Sequence, residues 1–417
     1  MTTGKKLLLL GSLYLAQGLP FGFFTVALPV LLREQGMSLP LIGLTHLLSL
    51  PWALKFAWAP FVDGVHAPRL GRRRAVIVPL QLASSAVLAA LALAATPGAV
   101  WPLAVAVLLV NVCAATQDIA TDALAVEVLG VHERGLGNGL QVGGYRTGMI
   151  LGGGFMLGVF DRAGWTAAFL SMSVLLLATT VPILAHREPP RATPVKSGAL
   201  EVLGAALARP GLRRWLAVPA VFKIGEWAAS AMLKPYLADQ LLAARRLANQ
   251  GLADPKLSMG DIGKILGYVG FGCGLFGAVI GGLWTPWLGR RRALLVFGAL
   301  QTLAIASISL AVEFPSVQMF YAISAVEHVT SGMATAALFT AMMDFCRPEH
   351  AGTDYTIQAS VVVIGSSIAT ALSGFSVDAI GYSPHFFLAA GLSLAAVLVV
   401  LAYRPSDPSF ALVAPRR

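Results

Sequence analysis

The sequence predicts an all-α polytopic membrane protein, with 12 transmembrane helices arranged in two pseudo-symmetric six-helix bundles. Three observations predict it. Hydrophobic residues make up 57% of the 417-residue chain and charged residues only 12%, with a mean hydropathy of +0.75. A soluble domain carries about 25% charged residues and could not hide so much apolar surface. The string Leu-Gly-Arg-Arg-Arg occurs twice, at Leu70–Arg74 and Leu288–Arg292, each time ahead of an apolar run. Finally, apolar stretches of about 20 residues, enough for one helical crossing of the hydrocarbon core, recur from end to end. They lack the alternation of barrel strands.

Taken in order, the stretches are 7–32, 41–62, 75–95, 101–126, 136–160, 165–185, 213–238, 262–285, 293–312, 316–342, 354–377 and 383–403. Lys5-Lys6 precedes the first, and no small-residue cleavage site follows, so this stretch reads as a spanning helix that also directs insertion. Pro20 and Pro29 interrupt the first span, Pro51 the second, Pro219 and Pro235 the seventh. Each proline removes a backbone donor and bends its helix. The first and seventh spans hold equivalent places, and paired broken helices point to a central binding site.

The polar segment 187–212, with Pro189-Pro190 and Pro194, divides the chain into bundles 1–186 and 213–417. A second polar insertion covers 240–261. The duplication reaches beyond the arginine strings. Gly135 to Trp165 runs parallel to Gly352 to Tyr382, which sets Asp161 opposite Asp378, Gly164 opposite Gly381 and, further on, Phe169 opposite Phe386. Glycine, 43 residues in all, is concentrated in the fifth and eighth spans, where small residues let helices approach closely.

Basic residues set the orientation. With both termini in the cytoplasm, twenty lysines and arginines fall on that side and six on the other, in accord with the positive-inside rule. The net charge of +10 sits in short connections between apolar runs, which argues against nucleic acid as a partner. Cys113, Cys273 and Cys346 are isolated and the seven histidines are scattered. No metal site, disulfide framework or cofactor motif emerges.

Ionisable residues inside spans are the functional candidates, because a charge at the bilayer centre costs several kcal/mol (about 2.5–3.5 on insertion scales) and so faces the bundle interior. Asp118 and Asp122 lie one turn apart on one helix face. Such a pair either carries a proton or is neutralised by a cation such as Arg146 in the next span. Arg146 offers its planar fork to a substrate carboxylate or to Asp118. Lys55 stands between Trp52 and Trp58, and Lys223 and Glu226 are three apart with Trp227 following. These aromatics either stack on a flat ligand or form an interfacial belt, and the Lys223–Glu226 pair is either a solute contact or a fixed internal pair. Glu327 is a protonatable carboxylate in the tenth span, with His328 beside it as a substrate-contact candidate. Tyr14 and Gln17 line a polar face of the first span. Asp63, Arg72, Arg73, Arg74, Arg290, Arg291 and Arg292 are gating candidates at the surface. Asp63 is placed to pair with the start of another helix, and its counterpart position holds Gly281. The arginines also suit anionic lipid.

The twelve-span plan with duplicated Gly-Arg-Arg-Arg loops resembles the major facilitator superfamily. Ala16-Gln17-Gly18-Leu19-Pro20, Lys55-Phe56-Ala57-Trp58-Ala59-Pro60, Gln117-Asp118-Ile119 with Asp122, and Gly144-Tyr145-Arg146 resemble the AmpG-related permeases. That group takes up anhydromuropeptides and has acetyl-CoA and siderophore transporters among its relatives. The compact length, Leu28-Pro29-Val30-Leu31-Leu32-Arg33-Glu34-Gln35-Gly36 and Thr353-Asp354-Tyr355-Thr356-Ile357-Gln358 are more similar to the RhtX/FptX siderophore-type branch. The resemblance implies proton-coupled import of a siderophore or ferric siderophore across the bacterial inner membrane by a monomer, through rocker-switch alternating access. Import of anhydromuropeptides is the alternative. Asp118, Asp122 and Glu327 would then be the proton-coupling candidates. Tyr14, Gln17, Trp52, Lys55, Trp58, Arg146, Lys223, Glu226, Trp227 and His328 would meet the substrate. An enzyme, a channel or a receptor is the rival class; no nucleophile–base set, phosphate loop or filter-like motif supports the first two.

Overall fold

The computed structural model describes residues 1–34, 45–65, 67, 71–94, 100–188, 199–249, 261 and 264–403. Outside the described residues lie part of the polar connector (189–198), half of the second insertion (250–260), the start of the predicted second span, Arg69, Leu70 of the first arginine string, and Arg404, Arg416 and Arg417. The side chains of Arg33, His46, Lys234, Arg245 and Arg246 are outside it as well.

The described chain is helical. In order the helices are α1 Thr3–Gly22, α2 Leu28–Glu34, α3 Leu50–Leu54, α4 Ala59–Gly64, α5 Arg74–Ala94, α6 Val100–Val128, α7 Arg134–Ile150, α8 Met156–Ala185, α9 Ala199–Ala208, α10 Pro210–Trp215, α11 Ala217–Phe222, α12 Ile224–Asn249, α13 Gly270–Leu288, α14 Arg290–Glu313, α15 Val317–Asp344, α16 Ala351–Ile380 and α17 Tyr382–Ala402. Among the described residues, nine stretches are long and apolar enough to cross a bilayer. One of them, Arg134–Ala185, is 52 residues long and contains two predicted spans, folded back at Gly164 with φ 79° and ψ −175°. The predicted tenth span is the 28-residue α15, long enough to cross but more polar than its neighbours.

The second span differs from expectation. It is assembled from short pieces, with tight turns at Thr45–Ser49 and Lys55–Ala57 around α3 and α4. Pro51 and Pro60 sit at the starts of α3 and α4, where a missing N–H breaks no intrahelical bond. Pro219 acts similarly, since the seventh span is cut into α10, α11 and α12. Pro20, by contrast, is absorbed inside α1, and the irregularity comes as a wide π-helical turn at Phe23–Ala27.

Two compact units result, each best described alone. The first comprises Met1–Glu133, Leu140–Leu207 and Phe345–Ser360. Here α5 packs on α6 and α8, and α1 on α6 and α8, around a core with Leu19, Phe23, Phe24, Leu91, Trp165, Phe169 and Met172. A side chain on Gly18 would overlap the Tyr145 carbonyl oxygen, so only glycine lets α1 lie this close to α7. The second unit comprises Arg134–Gly139, Ala208–Asp344 and Val361–Arg417. In it α13 packs on α15, and α14 on α15 and α17, with Phe320, Tyr236, Phe386 and Ile305 central.

The backbone supports the duplication read from the sequence. Among the described residues, positive φ occurs at Gly71, Gly164, Gly289 and Gly381 (88°, 79°, 80° and 81°). These form two pairs at matching places in the repeat, 71 with 289 and 164 with 381. Phe169 and Phe386, also repeat partners, are both buried at 1% and 0% exposure.

Candidate functional site

In the first unit, α6 presents Asp118 and Asp122 one turn apart, both buried. Their carboxyl groups are close enough to act on each other electrostatically. The ion pair of Asp118 is made with Lys55, which comes from the broken second span and is itself buried. The sequence had offered Arg146 as a neutralising cation; Arg146 stands half-buried on α7. Lys55 is held in place by its neighbours. Trp52 Nε1 donates to Asn111 Oδ1 at 3.0 Å and Trp58 Nε1 to Thr116 Oγ1 at 3.1 Å, which ties both indoles to α6. The ammonium lies 5.6 Å from the Trp52 ring centre, within cation–π range. These tryptophans thus position the lysine as well as lining the site.

Asp122 is served by other groups. Tyr14 donates its hydroxyl hydrogen to Oδ1 at 2.9 Å, and Gln141 Nε2 approaches the same oxygen at 3.4 Å. Gln17, one turn on from Tyr14, is 1% exposed and its carboxamide has no hydrogen-bond partner among the described residues. Lys55 therefore faces two carboxyl groups here, in a setting of low dielectric.

At the end of α4 in the same unit, Asp63 is the centre of a cradle. Arg73, wholly buried, donates from Nη1 to Asp63 Oδ1 at 2.8 Å and from Nη2 to Glu127 Oε1 at 2.7 Å. Asp63 Oδ2 accepts from Thr353 N at 2.6 Å and Thr353 Oγ1 at 2.7 Å, while Gly352 N reaches Oδ1 at 3.3 Å. Burial pushes the Asp63 carboxyl up, but the Arg73 guanidinium and the Thr353 hydrogen bonds outweigh it and hold it below the ordinary carboxylate range. Arg72 donates to the Asp63 and Glu349 carbonyl oxygens. The start of α5 is capped from a distance, since Glu188 accepts the N–H groups of Arg73 and Arg74 at 3.0 and 2.6 Å. Asp63 thus meets the start of α16.

The second unit has its own buried polar network. Lys223 and Glu226 form an ion pair. Glu226 also accepts from Gln301 and from Ser331 Oγ at 2.8 Å, and Lys223 donates to Thr335 Oγ1 at 2.7 Å. Groups from two further helices, α14 and α15, satisfy this pair, which favours the fixed internal pair over a free solute contact. Trp227 is 47% exposed. Glu327 is buried at 2%, with His328 Nδ1 2.8 Å from its carboxylate and 2.8 Å from the Ser324 carbonyl oxygen. The carbonyl can only accept, so Nδ1 carries the hydrogen.

Asp344, at the end of α15, binds two arginines. Arg134 Nη1 donates to Oδ1 at 2.6 Å and Arg290 Nε to Oδ2 at 2.7 Å. Arg291 donates to the Leu401 carbonyl at 2.6 Å, and Arg292 is exposed. Glu127 and Asp344 were absent from the sequence candidates. Their signal was the repeat itself, because Asp344 stands opposite Glu127 and serves Arg290 as Glu127 serves Arg73. Gln141, Thr353 and Asn111 were also missed; each is an uncharged residue whose importance comes from what packs against it.

Comparisons with known proteins follow the same lines. A family model described as Acetyl-coenzyme A transporter 1 matches residues 6–105, and one described as Major Facilitator Superfamily matches residues 220–415. The anhydromuropeptide permease of Escherichia coli K12 is 28% identical over 406 residues, covering 95% of this chain and 79% of that protein. The crystal structure of the human organic anion transporter MFSD10 (TETRAN) superposes with a TM-score of 0.74 at 15% identity, covering 96% of this chain and 100% of that one. That of FucP, a major facilitator superfamily transporter in the outward conformation, gives 0.69 at 14%, covering 95% and 98%. The two structures bear on the fold alone. Among these relatives nothing points to the siderophore branch expected from the sequence. By its match to the superfamily model over 220–415, its fold and its likeness to an anhydromuropeptide permease along 95% of its length, the chain reads as a secondary transporter of the major facilitator type that moves a small solute across a membrane.

Proposed function

We propose that this transporter imports anhydromuropeptides across the bacterial inner membrane, driven by protons, as a monomer with both termini in the cytoplasm. The observation that carries the substrate is the relation to an anhydromuropeptide permease along 95% of the chain. Such a solute joins sugar to peptide and brings carboxylates and amides. Arg146 and Lys55 are the cationic contacts, and Tyr14, Gln17, Trp52 and Trp58 supply hydrogen bonds and stacking faces. Lys223, Glu226, Trp227 and His328 have a weaker claim, since the first two are already saturated by one another and their neighbours.

Proton coupling rests on the arrangement of two carboxyl groups against one lysine. Like charges this close do not both ionise freely, so the Asp118–Asp122 pair is suited to take up one proton and to release it when Lys55 or the solute shifts the balance. Glu327, with His328 beside it, is a second candidate for the same work. Asp63, Arg72, Arg73 and Arg74 in one unit and Arg290, Arg291 and Arg292 in the other act at the gates, alongside Glu127 and Asp344.

The test is uptake into proteoliposomes with and without an acid-outside gradient, offering anhydromuropeptide and ferric siderophore in parallel. Gradient-dependent accumulation of the muropeptide is the expected result, with Asp122→Asn abolishing the dependence on the gradient. Accumulation of the siderophore alone, or muropeptide uptake indifferent to the gradient, overturns the proposal.

A further inference from the structure

The first turns of α16 join two sites of the first unit that are otherwise separate. At its start the backbone N–H groups of Gly352 and Thr353 and the Thr353 hydroxyl donate to Asp63. Arg347 braces the same corner, donating to the Asp354 carboxylate from its backbone N, Nε and Nη2 at 3.0, 2.9 and 2.7 Å. Gln358 then donates to the Asp354 carbonyl oxygen at 3.0 Å. Residues 347–358 are therefore cross-braced by hydrogen bonds.

One residue beyond Asp354, the Tyr355 side chain is buried at 1% exposure. It lies beside the Gln141 carboxamide and within electrostatic reach of Asp122 and Asp118. Gln141 in turn approaches Asp122 Oδ1, the oxygen that also accepts from Tyr14. A line of neighbouring groups thus runs from Asp122 through Gln141 and Tyr355 to Thr353 and Asp63.

We infer that Tyr355 is a positioning residue that transmits the state of Asp122 to the Asp63 cradle. The inference rests on the reading of Asp122 as a proton-coupling group. As a carboxylate, Asp122 accepts from both Tyr14 and Gln141. Once neutral it is a poorer acceptor, the Gln141 amide loses its reason to point there, and the surroundings of the Tyr355 hydroxyl change. A helix turn moves as a unit because its backbone hydrogen bonds link each residue to the one four before. A displacement at Tyr355 is therefore felt two residues earlier, where Thr353 meets Asp63, and hydrogen bonds at 2.6–2.7 Å weaken steeply when stretched or tilted. By linkage the effect is mutual, so releasing the cradle alters proton binding at Asp122 by the same factor.

The experiment uses the full chain in nanodiscs with Cys113, Cys273 and Cys346 replaced by alanine. The reporter is Ala351→Cys, at a position with 0% exposure beside the cradle, read by its rate of maleimide labelling. Asp122→Asn imitates the neutral carboxyl group. With Tyr355 present, Asp122→Asn is expected to raise the labelling rate by about five- to tenfold, the usual range for coupling between sites. With Tyr355→Phe, or independently with Gln141→Leu, the same change at Asp122 is expected to alter labelling less than twofold, roughly the noise floor against that range. Two variants are used so that a folding defect in one, seen as loss of a monodisperse elution peak, leaves the other to decide. If Asp122→Asn raises labelling equally with and without Tyr355, the inference is overturned while the role of Asp122 stands. If Asp122→Asn does nothing even with Tyr355 present, the inference is overturned as well, and gradient-dependent uptake by the same variant decides separately whether the proton-coupling reading fails with it.

Discussion

Replacing Lys55 by Met tests the energetics of the first unit's interior. Lys55 and Asp118 are 3% and 7% exposed, and Asp122 at 2% is close by. Removing the ammonium leaves Asp118 without the lysine that pairs with it, beside a second buried carboxyl group. Breaking one side of a buried pair costs about 3–5 kcal/mol, most of it the penalty of the stranded charge. Asp118→Asn should cost a similar amount by stranding the lysine. The double variant Lys55→Met/Asp118→Asn removes both charges at once, and its loss should stay within about 2 kcal/mol of the unaltered chain, because a buried pair contributes little net stability over a neutral substitute. Equilibrium unfolding in mixed micelles measures all three. A double variant whose loss equals the sum of the single losses within about 0.5 kcal/mol would mean that the two groups do not interact, and the reasoning would be refuted. Gradient-driven uptake separates architecture from transport: the double variant should be folded but inactive.

Three further outcomes are expected. Asp344→Asn, which weakens charge-assisted hydrogen bonds from Arg134 and from the buried Arg290, should lower stability by about 2–3 kcal/mol in the same unfolding assay, and no change would contradict the geometry. The Glu133 carboxyl is held down to about 2, first by Lys6 at 2.5 Å, then by Thr3 and the Gly130 N–H. Its stabilising effect is present above the usual carboxylate range and is lost as pH falls toward about 2, so Glu133→Gln should flatten the acid limb of a stability–pH curve and leave the neutral region little altered. Gly164→Ala and Gly381→Ala, each forcing a side chain onto a positive φ with extended ψ, should each cost about 1–3 kcal/mol, and by similar amounts; a neutral effect at either would show that the turn relaxes.

The class of fold was legible because hydropathy acts locally: a run of apolar residues about 20 long has few options in lipid. The duplication was legible for the same reason, and Gly164 and Gly381 turned out to carry the same rare backbone conformation. Of the charged residues singled out inside spans, Lys55, Asp118, Asp122, Lys223 and Glu327 are buried, and Arg146 and Glu226 are half-buried. Partners were harder to read. Nothing in a run of letters says that Asp118 meets a lysine 63 positions earlier, because that depends on how a broken helix leans on α6. The breakage itself was only partly foreseen, since Pro51 marks one interruption while the turn at Lys55–Ala57 has no proline. Thr353, Gln141 and Tyr355 carry no charge and sit in no rare pattern. Their interest arises from being pressed against Asp63 and Asp122.

The matched glycines have a practical use. Where the two halves keep the same bend, a tolerance map made on one becomes a forecast for the other, and half the mutagenesis is a replicate of the rest. The forecast should break down at Asp63, whose counterpart is Gly281, and there the halves have specialised: one secures its corner with an acid of its own, and the other leaves that place bare.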